Sequence, residues 1–243
     1  MFKPLVIVPF YNHLDGFAKI VGLLCAYPYQ ILLVDDGSEP KQSEGVKKIC
    51  LEHGIEYLSY IGNEGKGYAM KKGFAYALAN GYTHVLQIDA DGQHDINDIP
   101  KFIALAKNNP DALINGCPVY DRSVPAARLY GRKITDFWVA IETGGRKIAD
   151  SMCGFRVYPL AGIKDIFPGI FCERMGFDIE IIVKCCWKKI RIINQATKVS
   201  YPNDGISHFK MFKDNVRISC MHARLCAVAV IVFFKRLYHG RKY

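Results

Sequence analysis

The first residues that could do chemistry are two aspartates at the end of a predicted buried strand. Residues 84–88 form a largely apolar run, and Asp89 and Asp91 follow it directly. A strand that ends in this way delivers both carboxylates to the carboxyl edge of a sheet, where open α/β sheets bind their ligands. Adjacent carboxylates repel unless a cation or donor lies between them, which favours a hard divalent metal, Mg²⁺ or Mn²⁺. An acidic turn that caps the next helix is the alternative, and we expect Asp95 to be such a cap.

Three further polar motifs follow predicted strands or open predicted helices. They are PFYNH at 9–13, DDGS at 35–38 and NEGKG at 63–67. The carboxylates of Asp35 and Asp36 could accept hydrogen bonds from a nucleobase or a ribose, although a plain Asp-Gly turn is the alternative. In the third motif, backbone N–H groups and Lys66 could contact a nucleotide, although a glycine loop before a helix is also common without a ligand.

The elements that must position these motifs alternate along the chain. Apolar strands are predicted at 5–8, 31–34, 55–60, 85–88 and 112–115, with helices between them, and later strands at 155–158 and 191–193 enclose a helix at 177–187. Near-continuous apolar strands, each followed by a helix, indicate a mostly parallel sheet with helices on both faces. The fold class is therefore α/β, in one large domain.

Composition and charge exclude several classes of protein. The chain has nine cysteines but no CxxC pair, which argues against a zinc site and a disulfide framework and favours reduced thiols in the cytosol. The net charge is +9, and the segment from Ser207 onward holds eight Lys or Arg and one acid, Asp214. The globular part shows no basic patch with groove-reading elements, so no nucleic-acid partner is expected. A basic terminal helix favours an anionic membrane surface instead.

Taken together in chain order, the four motifs resemble those of family 2 glycosyltransferases of the GT-A type, and the chain is similar to the polyprenyl-phosphate sugar synthases. The resemblance covers about residues 4–200. Sugar nucleotidyltransferases have a related topology, but they open with a glycine-rich loop where this chain has Pro9-Phe10-Tyr11-Asn12. The resemblance implies an inverting, metal-dependent transfer of a sugar from a UDP- or GDP-sugar.

The resemblance also implies which residues contact the donor and the metal. The donor-side residues are Pro9, Tyr11, Asn12, Asp35, Asp36, Asn63, Lys66, Asp89, Ala90, Asp91 and Lys210. Asp91 is expected to ligate the metal directly, and Asp89 to act through water or through hydroxyl groups. His208 would complete the metal shell, although an exposed loop histidine without a ligand is the alternative. The polyprenyl-phosphate synthases often have a basic residue at this point, which leaves the acceptor open.

Two later motifs correspond to the acceptor side of the family. Residues 176–180, GFDIE, match an acidic pair at the start of a late helix, and Asp178 is the expected base, with Glu180 as the second candidate. An acidic first turn that favours the helix dipole is the alternative. Residues 150–156, DSMCGFR, resemble a block beside the acceptor, which makes Asp150 a further candidate for acceptor contact. Cys153 is expected to be a packing residue rather than a nucleophile.

The C-terminal segment predicts contact with a membrane. We divide the chain into a catalytic domain at 1–205 and a basic helical segment at 206–243. The segment contains an uninterrupted apolar run of ten residues at 225–234 with basic flanks. A spanning helix needs about twenty residues, so an interfacial helix is expected, with a core or dimer helix as the alternative. This places the protein in the cytoplasm, peripheral at the inner face of the membrane.

The function predicted from the sequence is transfer of a sugar from a nucleotide-sugar donor to a lipid-linked acceptor. A transferase that acts on a soluble or cell-surface glycan is a second hypothesis with the same donor chemistry. A nucleotide-sugar binding protein without catalysis is a third. The sugar, the base of the nucleotide, the acceptor and the oligomeric state stay open at this point.

Overall fold

The computed structural model describes residues 1–120, 124, 126–145, 147–200 and 211–240. Within these ranges one sheet contains seven strands: β1 (Pro4–Phe10), β2 (Gln30–Asp35), β3 (Glu56–Ser59), β4 (His84–Gln87), β5 (Leu113–Tyr120), β6 (Arg156–Pro159) and β7 (Ile192–Val199). The helices are α1 (Leu14–Cys25), α2 (Pro40–Glu52), α3 (Lys66–Ala79), α4 (Ile99–Asn108), α5 (Ala126–Thr143), α6 (Leu160–Ile163), α7 (Phe177–Trp187) and α8 (Met211–Gly240).

The strand order in the sheet is β3-β2-β1-β4-β6-β5-β7. β1 pairs in parallel with β2 and β4, and β2 pairs in parallel with β3. β6 runs antiparallel to both of its neighbours, whereas β5 and β7 are parallel. The prediction of a mostly parallel sheet is therefore confirmed, with β6 as the one reversed strand among those described. Because β1, β2 and β4 are parallel neighbours, the motifs that follow them meet at one edge.

Helices cover both faces of the sheet and bury two separate apolar clusters. One cluster lies under α3, α7 and α8 and includes Phe74, Phe177 and Met221. The other lies under α1 and α4 on the opposite face and includes Phe17 and Phe102. The strands supply both clusters, because successive side chains of a strand point to opposite faces.

The entry to α4 confirms the expected cap. Asp95 accepts a hydrogen bond from the backbone N–H of Asn97 at 3.0 Å, which satisfies one of the N–H groups left open at the start of a helix. A short 3-10 turn, Ile96–Asp98, then leads into α4. This cap holds the acidic loop between β4 and α4 at a fixed distance from the sheet.

The C-terminal helix α8 has a half that packs on the domain and a half that does not. Met221, His222 and Leu225 are buried, whereas most residues from 227 to 233 are exposed. By length and composition Lys213–Phe233 could cross a membrane, and 17% of the apolar window within it is buried. The expectation that this segment is too short to span, which counted only the ten-residue apolar run, is therefore wrong on length.

Candidate active site

The first two motifs are joined by hydrogen bonds where β1 and β2 end. The backbone N–H of Asn12 donates to Ser38 Oγ at 3.0 Å, and Asn12 Oδ1 accepts from the backbone N–H of Glu39 at 2.9 Å. Asn12 has a φ of 52°, a left-handed conformation that asparagine tolerates better than most residues. Pro9 lies within β1 and Tyr11 directly follows it, so these predicted donor contacts are at the correct edge.

Asp35 closes the turn that follows β2. Its carboxylate accepts hydrogen bonds from the hydroxyls of Ser43 and Tyr57, both at 2.7 Å, and from the backbone N–H of Ser38 at 3.0 Å. The side chain is almost completely buried. Asp35 thus positions this turn, and its predicted contact with a nucleoside stays a prediction.

Asp36 anchors the glycine-rich loop at 63–67. Its carboxylate accepts hydrogen bonds from the backbone N–H groups of Glu64 at 2.9 Å and Gly65 at 2.8 Å, and from the Tyr60 hydroxyl at 2.7 Å. Burial raises the pKa of Asp36, although these hydrogen bonds oppose that shift. The carboxylate that was predicted to bind a nucleoside therefore also fixes the loop that carries Lys66.

A second anchor reaches the same loop from the segment before α7. Arg174 donates to the Asn63 side-chain oxygen at 2.7 Å, and the backbone N–H of Gly67 donates to the Glu173 carbonyl at 2.7 Å. Gly65 has a φ of 111°, and a Cβ at this position would overlap the Glu173 carbonyl. Only glycine fits there without strain, so the loop is held in one place from two sides.

Lys66 joins the donor-side motif to the acceptor-side helix. Its ammonium lies 2.7 Å from Asp89 Oδ1 and 2.8 Å from Asp178 Oδ2. Burial alone would lower the pKa of Lys66, but Asp178 and Asp89 outweigh burial and raise this pKa overall. Lysine therefore stays charged between two carboxylates that come from sequence motifs far apart in the chain.

Asp178 is held from the sheet side by residues that the sequence argument did not select. Gln87 donates to Asp178 Oδ1 at 2.9 Å and accepts from the Tyr158 hydroxyl at 3.0 Å. The buried guanidinium of Arg156 donates to the Asp178 carbonyl at 2.6 Å and to the Ser151 carbonyl at 2.7 Å. Gln87 had a visible signal, since it is an amide inside an apolar strand and such a group needs a buried partner.

Asp89 and Asp91 offer a pair of carboxylates to a divalent cation. Burial, and next the charge of Asp89, raise the pKa of Asp91. Asp91 Oδ1 accepts from the backbone N–H of Gln93 at 3.0 Å, and a Cβ on Gly154 would overlap the Asp89 carboxylate. The oxygen donor set fits Mg²⁺ or Mn²⁺. Within the described ranges no cluster of three or more His, Cys, Asp or Glu side chains surrounds a potential metal position.

Of the remaining residues near the proposed metal position, the structure describes His94 and Ala90 but not His208 and Lys210. His94 packs against Phe155 with ring centroids 5.6 Å apart, and burial lowers its pKa although Asp89 and Asp91 oppose this. These contacts give His94 a packing role in the loop between β4 and α4. Ala90, between the two aspartates, is buried. His208 and Lys210 lie outside the described residues, so their predicted contacts stay predictions.

Glu180, the second candidate for the base, is fully buried and committed to structure. Its carboxylate accepts from the backbone N–H of Cys172 at 2.8 Å and pairs with Lys184 and Arg224, each at 2.9 Å. Burial alone would raise its pKa, but the hydrogen bonds from Lys184 and Cys172 lower the pKa overall. These contacts leave Asp178 as the better-placed base.

Asp150 is also buried and closes the turn before β6. Its carboxylate accepts from Arg132 at 2.6 Å and from the backbone N–H of Cys153 at 2.7 Å. Burial, and next the charge of Asp150, raise the pKa of neighbouring Asp136 to about 6. Burial raises the pKa of Cys153 to about 12, in agreement with a packing role. A direct contact between Asp150 and an acceptor stays a prediction.

Sequence comparison connects this geometry to known proteins. The sequence model of Glycosyl transferase family 2 matches residues 5–166. A dolichyl-phosphate beta-glucosyltransferase of Saccharomyces cerevisiae is 29% identical over 222 residues, which cover 78% of this chain and 64% of that enzyme. A dolichol-phosphate mannosyltransferase of Pyrococcus furiosus is 28% identical over 198 residues, which cover 77% of this chain and 54% of that enzyme. The chain thus spans less than two thirds of the length of these two relatives.

Structure comparison confirms the fold. The glucosyl-3-phosphoglycerate synthase of Mycobacterium tuberculosis, solved with Mn²⁺, UDP and glucosyl-3-phosphoglycerate, has a TM-score of 0.69 at 13% identity. The match covers 94% of this chain and 80% of that one. An identity this low shows the fold alone. The predicted GT-A architecture is therefore confirmed, and the ligands of that protein assign nothing to this chain.

Proposed function

The chain belongs to glycosyl transferase family 2 and is a glycosyltransferase, and we propose that it moves a sugar from a UDP- or GDP-sugar to polyprenyl phosphate, with inversion and with a divalent metal. The observation that carries the proposal is the position of Lys66 between Asp89 and Asp178. The Lys66 side chain lies between Asp89 of the donor motif and Asp178, the candidate base. A direct displacement needs the donor and the base to be this close together.

In this reaction the acceptor oxygen attacks the anomeric carbon of the sugar while the bond from that carbon to the nucleoside diphosphate breaks. Asp178 takes the proton of a hydroxyl acceptor, or orients an acceptor phosphate that is already anionic. Gln87 and Arg156 hold Asp178 in place for this step. Lys66 offsets the negative charge that collects between donor and acceptor.

Asp89 and Asp91 would hold the Mg²⁺ or Mn²⁺. Their carboxylates are oxygen ligands of the kind that these ions prefer. When bound, the ion supplies positive charge that stabilises the leaving nucleoside diphosphate. Lys66, which contacts Asp89, adds a second positive charge close to the same place. His208 is a proposed additional ligand.

The names of the relatives support a lipid phosphate as the acceptor. Both curated relatives are named for transfer to a dolichyl or dolichol phosphate. The basic, apolar α8 supports a position at a membrane surface, where such an acceptor is found. We propose a cytoplasmic, peripheral location for the protein on these grounds. A soluble or cell-surface glycan as acceptor is left as an outcome of the test.

The test is a donor screen on purified protein with Mn²⁺, Mg²⁺ or EDTA, with and without polyprenyl phosphate. We expect UDP or GDP release that needs the metal, increases with the lipid and accompanies formation of a glycolipid. Asp178→Asn should lower turnover by about 10²- to 10⁴-fold, the range for loss of a positioned acid or base. Asp91→Ala should abolish turnover, whereas Asp165→Asn, at an exposed position, should not change it.

Two results would contradict the proposal. Transfer to a glycan, with no increase when polyprenyl phosphate is added, would show that the acceptor is a glycan and not a lipid phosphate. Full turnover in Asp178→Asn would show that Asp178 is not the base. This substitution leaves the fold and donor binding in place, so turnover then reports on the carboxylate alone.

A further inference from the structure

Helix α5 carries an apolar stripe on its exposed face. Its members share the i, i+3, i+4 spacing of one helix face, and each is between 40% and 69% exposed: Tyr130, Ile134, Phe137, Trp138 and Ile141. Scattered exposed apolar residues are normal on a protein surface, but a contiguous group of large ones marks a surface that contacts something.

The stripe is not a misplaced core, because the opposite face of α5 already packs on the domain. Val139 and Glu142 are buried on that face. Glu142 accepts from the Trp187 indole N–H through its carbonyl at 2.8 Å and pairs with His222 of α8 at 2.7 Å through its carboxylate. These bonds fix the rotation of α5, so the apolar stripe points away from the domain.

A second group of exposed apolar residues lies on α8, the helix that packs beside α5. The ring of Trp138 lies 6.4 Å from the ring of His222, one turn before the exposed half begins. The large exposed residues of that half are Val228, Val230, Ile231 and Phe233. We call the stripe and these four residues the α5–α8 face. Its two parts lie on two helices that pack against each other.

Exposed basic side chains lie on the same two helices as this face. Lys133 on α5 and Lys213 and Arg217 on α8 are exposed, and Lys235 and Arg236 follow the apolar run of α8. A second copy docked on the same face would bring these like charges together. Anionic phospholipid headgroups instead complement a basic rim around an apolar centre. The charges therefore select a membrane surface over a dimer.

The docked half of α8 also limits how deep the helix can enter. Met221, His222 and Leu225 pack on the domain, and most of the apolar residues 227–233 are exposed. Seven helical residues extend about 10 Å at 1.5 Å per residue, against roughly 30 Å of hydrocarbon. As long as the first half of α8 stays docked, α8 enters one leaflet and does not span the bilayer.

We propose that the α5–α8 face docks on an anionic lipid bilayer, with the α5 stripe at the boundary between headgroups and acyl chains and the end of α8 inserted in one leaflet. This inference rests on the proposed function for the identity of the acceptor as a lipid. It adds the surface of the protein that faces the membrane in which that lipid lies. Phe171, exposed in the loop that Glu180 anchors before α7, lies with its ring 4.6 Å from the Arg224 guanidinium of α8.

The chain offers an internal reporter, because Trp138 and Trp187 are its two tryptophans. The experiment measures tryptophan fluorescence of the full chain on vesicles of phosphatidylcholine and phosphatidylglycerol with brominated acyl chains. In the Trp187→Phe variant the fluorescence comes from Trp138, and we expect the brominated lipid to quench it. In the Trp138→Phe variant the fluorescence comes from Trp187, and we expect almost no quenching. Equal quenching of both variants, or none of either, would overturn the proposal.

A matched pair of variants then measures the contribution of α5 to binding. Ile134→Ser with Phe137→Ser removes two exposed apolar residues of the stripe, and Leu23→Ser with Leu51→Ser removes two exposed ones on α1 and α2, at the opposite face of the sheet. We expect the first pair to weaken vesicle binding by about tenfold or more, because each lost side chain no longer leaves water. The second pair should bind as the wild type does.

Two other outcomes would overturn the docking surface. Equal vesicle binding by both double variants would do so, as would a change from dimer to monomer in the first pair with vesicle binding unchanged. Vesicle binding is measured without donor or acceptor, so a failure of the proposed transfer reaction does not affect this result. Transfer to acceptor in detergent should be equal in both double variants, which separates docking from catalysis.

Discussion

At the scale of single residues, Asp178 and Glu180 are two positions apart on α7 and have opposite surroundings. Asp178 faces Lys66, whereas Glu180 is surrounded by Lys184, Arg224 and two backbone N–H groups of the preceding loop. The first side chain connects α7 to the donor-side loop through Lys66, and the second connects α7 to α8 through Arg224. Sequence spacing alone gives both acids the same role, because it does not reveal which face of the helix meets the loop.

Glu180→Gln should reduce stability in a pH-dependent way. The lowered pKa of Glu180 means that its contribution to stability is present above the ordinary value of 4.5 and is lost as the pH falls through the folded-state pKa. We expect a loss of about 1.5–3 kcal/mol at neutral pH, the range for a hydrogen bond to a charged group. Urea unfolding at neutral and acidic pH measures the difference, which should shrink below about pH 4.5.

Glu52→Gln is the matched control. Glu52 also pairs with a lysine one helical turn away, Lys48 at 3.9 Å, but both side chains are exposed. Exposed pairs of this kind contribute about 0–1 kcal/mol. A loss in Glu180→Gln that equals the loss in Glu52→Gln, or that grows at acidic pH, would contradict the structural role of Glu180.

Gly154→Ala should remove activity without a comparable loss of fold. A Cβ at this position would overlap the Asp89 carboxylate, so that Asp89 has to move away from Lys66 and from the proposed metal. We expect turnover to fall by about 10²-fold or more, as a misplacement of about 1 Å can do. Gly22→Ala is the control, because nothing lies within 4 Å of its added Cβ and alanine favours a helix. Nucleotide release and thermal unfolding of both variants check the prediction.

The sequence predicted the identity of several site residues but not their internal partners. Asp89, Asp178 and Lys66 could be selected because their motifs follow strands or open helices. The contact of Lys66 with both aspartates could not, because it depends on a loop fixed by Asp36 and Arg174. In the same way, the sequence spacing did not indicate that the carboxylates of Asp35 and Asp36 accept hydrogen bonds from their own turn and from the glycine-rich loop.

At the scale of elements, the glycine-rich loop before α3 acts as a positioning device for Lys66. Arg174→Ala removes two hydrogen bonds to Asn63 and leaves the loop anchored by Asp36 and by the backbone hydrogen bond from Gly67 to Glu173. We expect turnover to fall by roughly tenfold through loss of preorganisation, with stability changed by about 1 kcal/mol. Steady-state kinetics and thermal unfolding measure the two effects.

Arg191→Ala is the control for that prediction. The Arg191 guanidinium donates to Asn109 Oδ1 at 3.2 Å, away from the loop. Turnover in this variant should match the wild type. If Arg174→Ala also matches the wild type, Asp36 and the backbone hydrogen bond from Gly67 to Glu173 are sufficient to hold the loop and Lys66.

β1, β2 and β4 were predictable because each is an apolar run that ends in a polar motif, whereas α5 was not predicted as a helix. Predicted strands at 31–34 and 85–88 correspond to Gln30–Asp35 and His84–Gln87. The reversed direction of β6 was not predictable, because direction depends on the path of the segment between β5 and β6. The docked half of α8 was missed for a different reason: the contact between His222 and Glu142 joins positions 80 residues apart, and neither has a local signal.

At the scale of the whole molecule, α8 is part of the fold up to about residue 226 and an appendage after it. A chain that ends at Cys226 keeps Met221, His222 and Leu225 in the domain, whereas a chain that ends at residue 210 loses them. We expect the first to be monodisperse with a melting temperature close to that of the full chain. The second should aggregate, since each buried Met or Leu truncated even to alanine costs about 2–5 kcal/mol.

Light scattering, thermal unfolding and vesicle binding of both truncations check this prediction. The chain that ends at Cys226 should bind vesicles more weakly, because it lacks the apolar residues 227–234. If the chain that ends at residue 210 folds as well as the full chain, the buried residues of α8 contribute nothing to the domain and the division at 226 is wrong.

The strand order also determines when each part of the sheet can form during synthesis. β5 pairs with β6 and β7 and with no other described strand, although β6 comes about 40 residues later in the chain. β1 to β4 can therefore assemble as soon as they are made, while β5 has no partner until β6 has joined β4. The packed face of α5 waits longer still, because its partners are α7 and α8 rather than β6. An unfinished chain in this interval exposes both an unpaired edge and an unpacked helix, and it is then most prone to pair wrongly.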